Sequence, residues 1–412
     1  MQDSLYRNSL YLMLSSAITS FAGFIFWIVV AHKYSTSQVG IATALVSVTG
    51  LIANVSLLGF DTALIRYLAI SKSKDKLINT ALLSTASAAT LGACVYLLII
   101  SRFSNHLDVI NNSPIRLTIF IVTICTSTIS LILESIFIAY RKSKFVLIKN
   151  TLISGLKLVL PWIFLSLGAY GIFTAYGLSI ALGVMSGGGI LIYVFEHRLN
   201  LKFDKQTLKQ VYAFSGINYL TNFLMDLPGL FMPLLVATVL GAKPTAYFYL
   251  SNTIAVALGM IPAATTQSLF AEGITSQANA KKLFKRGLKM IAIMMIPLVT
   301  LLIIFAHYIL LVFGGAYATN AIAVFRLLCF SGLLVSLQYT LLVQFKIRHE
   351  LKNILIVGAS GGLTTMLLAI IFLRHGLVAL GIIWNTGLLV SCIAGVILER
   401  RFQRSNTKLS TT

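Results

Sequence analysis

Twelve apolar runs, each near the ~20 residues a helix needs to cross a hydrocarbon core, dominate this chain of 412 residues. They fall at about 9–31, 39–60, 78–100, 117–138, 146–167, 171–195, 212–239, 245–269, 290–313, 322–344, 354–373 and 377–398. A bilayer core holds no water to satisfy backbone N–H and C=O groups. A run that crosses must therefore do so as a helix that closes its own hydrogen bonds. The expected fold class is all-α and polytopic, with twelve transmembrane helices. Hydrophobic residues make up 58% of the chain and charged residues 10%, which excludes a water-soluble domain of this size. The first run lacks a small-residue cleavage site and leads straight into the second, so it reads as a helix that stays and not as a signal peptide.

Loop charge sets the orientation. Of the 32 Lys and Arg, 25 lie on the N-terminus, the even-numbered loops and the C-terminus, and five on the odd-numbered loops. That bias places both termini in the cytoplasm of a multi-pass protein of the plasma membrane. The net charge of +21 is thus spent on short clusters between apolar runs, which suits anionic lipid headgroups and gives no reason to expect nucleic acid. The longest inner loops, 196–210 and 271–289, are basic and fit short amphipathic helices on the inner surface. Cys94, Cys125, Cys329 and Cys392 all lie within apolar runs without metal-ligand spacing. They are expected to be free, core-filling thiols, and no metal or cofactor is expected.

Internal repetition divides the chain at residue 206. A shift of 203 lays 149–155 (KNTLISG) on 352–358 (KNILIVG), and a shift of 210 matches Gly171-Ile172 with Gly381-Ile382 and Gly177-Leu178 with Gly387-Leu388. Two six-helix halves, 1–206 and 207–412, follow. Six crossings each give both halves the same orientation, related by a pseudo-two-fold axis along the membrane normal, and in such proteins the substrate path lies between the halves.

Few ionisable residues sit inside the runs, and each is a candidate site. Lys157 lies near the middle of the fifth span, four residues before Pro161. A cation there costs about 3 kcal/mol on insertion scales, so it should face protein or water. The bland alternative is a lysine paired with a carboxylate for packing. In the seventh span Ser215, Asn218, Asn222 and Asp226 follow one another at steps of three, four and four, which places them on one helix face, with Pro228 and Pro233 beyond. Such a stripe fits a cavity lining with Asp226 as partner of Lys157 or as a protonatable coupling group, or else a seam of interhelical hydrogen bonds. Arg326, near the outer end of the tenth span, is a cavity cation or a snorkelling anchor. Glu134, near the inner end of the fourth, is a coupling or gate group or an interfacial one, and Gln338 in the tenth is a hydrogen-bonding wall residue. Asp61 and Arg66 stand in the stretch that ends the second span. Five residues apart, about 140° around a helix, they do not share a face, and each needs a partner elsewhere, as a cytoplasmic gate would supply; the alternative is simply a charged helix end.

The run LLGFDTALIRYLA (57–69), following VGIATALVSVTGLIANVS, resembles the second-helix signature of the polysaccharide-biosynthesis flippases, the lipid-linked oligosaccharide exporters of the multidrug/oligosaccharidyl-lipid/polysaccharide superfamily. FGGAYATNAIAVFRLLCFSGLL (313–334) resembles the family's pattern at the ninth and tenth helices, at Phe313-Gly314, Tyr317 and Arg326-Leu327. Of the candidates, Asp61, Arg66 and Arg326 sit on matching motifs, while Lys157 and Asp226 rest on the physical argument. The resemblance implies a flippase that moves a polyprenyl-pyrophosphate oligosaccharide from the inner to the outer leaflet by alternating access through a central cationic cavity, with glycan-assembly enzymes as its natural partners. The alternative is a multidrug or cation antiporter of the same superfamily, which would want an acidic cavity with a carboxylate early in the chain; the first span has none. A membrane glycosyltransferase is disfavoured because the outer loops are short and carry no carboxylate pair, so no enzyme activity is expected.

Overall fold

The computed structural model describes residues 2–68, 70–71, 73–103, 113–200, 204, 223–275, 280–348 and 350–409. Among them, eleven helices are long and apolar enough to cross a membrane. A further apolar helix, α8 (Phe223–Val239), has 17 residues. It belongs to the seventh run, expected from residue 212, which is described only from Phe223, so the described crossings number eleven and not twelve.

The apolar runs hide several breaks. The second run was expected to extend through Gly59-Phe60, but α2 (Thr36–Val55) ends five residues earlier. Leu58 and Gly59 then take φ of 53° and 80°, a left-handed turn that glycine makes cheap, and α3 (Phe60–Tyr67) starts anew. LLGFDTALIRYL is thus a turn and a separate short helix, not the end of the second span. In the second half, α9 (Ala242–Leu258) and α10 (Met260–Thr275) meet at Gly259. There, α11 (Ala280–Ile304) is followed by the short helices α12 (Ala306–Leu311) and α13 (Gly315–Asn320). The Phe313-Gly314 pair has a steric reason, since Gly314 sits at φ 120° while Phe313 and Tyr317 are buried with ring centroids 6.2 Å apart.

The chain forms two compact units, Met1–Leu220 with Gly241–Lys243, and Thr221–Leu240 with Pro244–Thr412. In the first, α1 (Gln2–Lys33) packs on α6 (Lys144–Ile163), α6 on α7 (Ala169–Tyr193), and α7 on both α2 and α5 (Pro114–Ala139). Next to these, α5 also carries α4 (Lys74–Phe103) and α3. Its core joins Phe60, Ala63 and Leu64 of α3 to Ile132, Leu133, Ile136 and Phe137 of α5. In the second unit, α15 (Leu351–Phe372) packs on α16 (Leu377–Leu409), α16 on α14 (Ile322–Ile347), and α14 on α10 and α11. There, Met225 and Leu224 of α8 lie against Gly358 and Gly362 of α15, as α1 lies against α6. Each unit therefore repeats one neighbour order.

Lipid offers apolar side chains no less than a neighbouring helix does, so helices associate through close backbone approach at small residues. A Cβ on Gly387 of α16 would stand 1.8 Å from Thr365 Oγ1 on α15, and one on Gly177 of α7 2.1 Å from Thr123 Oγ1 on α5. Cys125, Cys329 and Cys392 are buried or partly buried free thiols, whereas Cys94 is exposed on α4 and fills no core.

Candidate functional site

The first unit concentrates the charge. Its α6 begins after a turn in which Arg141 takes φ 55° and runs to Ile163 with Pro161 inside it. Proline lacks the N–H that the carbonyl four residues back would use, and bends the helix. The bend is held from outside by the Tyr34 hydroxyl, which donates to the Pro161 carbonyl at 2.7 Å. Lys157, half-buried, points its Nζ at the ring of Tyr176 on α7, 4.2 Å from the centroid. Among the described residues of this unit, no carboxylate pairs with it. An ammonium on an aromatic face is attracted by the ring quadrupole, by about 2 kcal/mol when desolvated. That holds the charge in place without neutralising it. Asp226, proposed as its partner, stands exposed on α8 of the second unit, within electrostatic reach of Tyr339.

Two turns before Lys157 lies a charge that sequence reasoning missed. Lys149, counted among the loop charges although the fifth run begins at 146, is fully buried. Its Nζ donates to Glu134 Oε1 at 3.0 Å, Ser130 Oγ at 2.6 Å and the Ser130 carbonyl at 3.3 Å, which uses all three of its donors. Glu134 keeps 30% of its side chain exposed. The signal was present: Glu134 and Lys149 stand seven residues either side of Arg141-Lys142, and an antiparallel helix hairpin brings such positions level. Gly187 of α7 makes the room, since a Cβ there would meet Lys149 Cδ at 3.3 Å. Beside it, Asn150 donates to Ser15 Oγ on α1 at 3.0 Å.

The remaining candidates lie apart from this cluster. Gln338 donates to Ser391 Oγ at 2.6 Å, and Ser391 in turn to the Val357 carbonyl at 2.7 Å. That is a seam joining α14, α16 and α15, in which the amide of Gln338 is hydrogen-bonded. Arg326 is exposed and donates Nε to the Ile303 carbonyl at 3.2 Å, capping the end of α11 where it breaks. Asp61 is in the first turn of α3; burial pushes its carboxyl above the usual range, and neighbouring backbone N–H groups, that of Thr62 among them, pull it partly back. Arg66, exposed in the last turn, lies 5.6 Å from the Tyr67 ring centroid. Asn218 and Asn222, with Ser215, lie outside the described residues.

A second missed constellation anchors the segment after α7. His197 is buried, with Nδ1 2.7 Å from Asp75 Oδ1 and Nε2 3.0 Å from Asn79 Oδ1. Asn79 donates its own Nδ2 to the Arg198 carbonyl at 2.9 Å, so its oxygen accepts and Nε2 carries a hydrogen. A histidine in a charged loop gives no sequence sign of this.

The family model described as "Polysaccharide biosynthesis protein" matches residues 5–270. A Shigella flexneri protein described as "Putative O-antigen transporter" is 21% identical over 341 residues, 79% of this chain and 80% of its own length. Among solved structures, an inward-facing multidrug resistance MATE family transporter of the MOP superfamily has a TM-score of 0.72 at 17% identity, over 97% of this chain and 99% of its own. A MOP superfamily transporter from Pyrococcus furiosus, described by the reverse polarity of its binding pocket, has a TM-score of 0.65 at 18% identity, over 97% and 95%. Likeness at that identity establishes the fold, that of the all-helical MATE-type membrane proteins.

Proposed function

The chain belongs to the polysaccharide biosynthesis protein family, a family of transporters and not of enzymes, and from that premise we propose that it flips a polyprenyl-pyrophosphate oligosaccharide from the inner to the outer leaflet. The observation that carries the reading is Lys157, a cation within a membrane-spanning helix, set on Tyr176 with no carboxylate beside it among the described residues of its unit. An anionic head must cross hydrocarbon, and a fixed, uncompensated ammonium lowers that barrier while the lipid tail stays in the bilayer. Two six-helix halves, 1–206 and 207–412, related by a pseudo-two-fold axis along the membrane normal, would alternate access to a cationic cavity. Lys157 is its main cation. Arg326, Asn218, Asn222 and Gln338 are subsidiary contacts; Asp226, Asp61, Arg66 and Glu134 are coupling or gate groups. Both termini face the cytoplasm by the loop charge, and glycan-assembly enzymes supply and consume the substrate. The Shigella flexneri relative supports an O-antigen-like cargo.

The likeness to multidrug MATE structures favours a second reading, export of organic cations. The two separate in one experiment. The protein is reconstituted in vesicles with a fluorescent undecaprenyl-pyrophosphate oligosaccharide, and the fraction of label open to an external quencher is followed. Protein-dependent equilibration of the label between leaflets is the expected result; ethidium movement with no flipping of the label would establish the second reading instead. In the same vesicles Asp226→Asn is expected to remove any dependence of flipping on a pH gradient, and an unchanged dependence would dismiss Asp226 as the coupling group.

A further inference from the structure

The segment that leaves α7 is fastened to the first unit largely by side chains. The helix ends at Tyr193, and Glu196, exposed, takes φ 52°, a left-handed turn that glycine would make at less cost. The His197 N–H closes the turn on the Leu191 carbonyl at 3.2 Å. Phe195 sits among Tyr140, Phe145 and Phe137, with ring centroids 4.6, 5.6 and 5.9 Å away. His197, its side chain 1% exposed, reaches Asp75 and Asn79 of α4. The hydrogens at this histidine can be counted. The Arg198 carbonyl only accepts, so the Asn79 amide nitrogen faces it and the amide oxygen faces Nε2, which therefore carries a hydrogen. Nδ1 lies 2.7 Å from Asp75 Oδ1. Two lone pairs repel at that distance, so a hydrogen stands between them as well. A neutral imidazole has only one N–H. The pair thus holds one proton more than a neutral histidine and an ionised aspartate would carry. Asp75 is in the first turn of α4, where the helix dipole favours the carboxylate, which leaves the charge on the ring.

We propose that His197 and Asp75 form a proton-binding site that clamps residues 194–200 to α4, and that loss of the proton frees this strap. A neutral ring can donate to Asn79 or to Asp75 but not to both. Asp75, 52% exposed, then turns to water and the link to α4 weakens. Because the clamped form binds the proton, its stability falls as pH rises. Lys74 and Lys76 flank Asp75 on α4, with the Lys74 ammonium 5.5 Å from the Tyr140 ring centroid. Tyr140, where α5 ends, lies within electrostatic reach of Asp75. On the strap itself Glu196 and Arg198, both exposed, flank His197. Of these residue types only histidine ordinarily changes charge between about pH 5 and 8. The strap is where the chain begins to leave the first unit, and the second begins at Thr221. The site thus makes that exit depend on the proton concentration at one face of the membrane.

The test is hydrogen–deuterium exchange of the full-length protein in nanodiscs, read by mass spectrometry on peptides spanning 194–200 at pH 6 and pH 8.5. Each rate is corrected for intrinsic exchange at its pH. Wild-type protein is expected to lose about tenfold of the strap's protection at the higher pH, the scale of one hydrogen bond to a charged group, while peptides from α5 keep theirs. His197→Ala is expected to lack the strap's protection at both pH values. Asp75→Asn separates a proton site from a simple tether. Its amide nitrogen donates to an unprotonated Nδ1, so the strap stays clamped without a bound proton and its protection no longer depends on pH. Equal strap protection at both pH values in wild type, a drop that persists in Asp75→Asn, or full protection in His197→Ala overturns the proposal. The flippase reading stands or falls separately, since no cargo enters this experiment.

Discussion

A Lys157→Ala variant is expected to reach the membrane at the wild-type level and to export no surface glycan. Separating function from folding is the crux, and the physics favours a clean result. Placing an ammonium in the span costs about 3 kcal/mol, and the ring contact with Tyr176 returns only part of it, about 2 kcal/mol at best. Deleting the charge therefore relieves the fold more than it harms it. Protein level by immunoblot and surface glycan by gel, read in the same cells, distinguish the two effects. Lys157→Met, which keeps the length of the side chain without the charge, is expected to fail as the alanine does. Lys157→Arg is expected to keep part of the export, because a guanidinium also stacks on an aromatic face and still binds phosphate. Normal glycan export by the alanine variant would sink the role given to Lys157.

Much of this architecture was legible because a bilayer leaves so few choices. Length and hydropathy alone place the crossings, since only a helix satisfies its backbone inside lipid. What stayed hidden are the places where an apolar run stops being one helix. Leu58-Gly59, Gly259 and Phe305 break helices without breaking hydropathy; Leu58-Gly59 does so by a left-handed turn, which needs a glycine or a tolerated φ and not a polar residue. Site residues were read by type, and type does not say what a side chain touches. Gln338 read as a hydrogen-bonding wall residue, and the sequence did not name its partner, Ser391. Arg326 read as a cavity cation or a snorkelling anchor, and its contact with the Ile303 carbonyl at the end of α11 gave no sign in the sequence. Lys157 was found because its cost is visible in sequence, and its neighbour Tyr176 was not, since an aromatic residue in a membrane helix attracts no notice. Lys149 was lost by assigning every basic residue near a turn to the loop.

That oversight leads to the largest stability effect expected anywhere in the first unit. Lys149 and Glu134 form a buried ion pair of unequal partners, the ammonium fully enclosed and the carboxylate 30% exposed. Removing one member of a buried pair typically costs 3–5 kcal/mol because the other is stranded, and the cost falls when water can reach the survivor. Glu134→Ala strands the fully buried Lys149 with only Ser130 left to accept from it, so about 3–5 kcal/mol is expected. Lys149→Met leaves Glu134 able to take water on its open side, so a smaller loss of about 1–2 kcal/mol is expected. The double variant should melt close to Lys149→Met and above Glu134→Ala, since replacing both charges removes the stranded group. Thermal denaturation of the purified proteins in one detergent orders the three. An unchanged melting temperature for Glu134→Ala, or a Lys149→Met variant that melts below it, would show that the pair is not held as the geometry implies. The order also bears on transport: if the pair only supports the fold, the double variant still exports glycan, whereas a coupling role for Glu134 predicts a stable protein that does not.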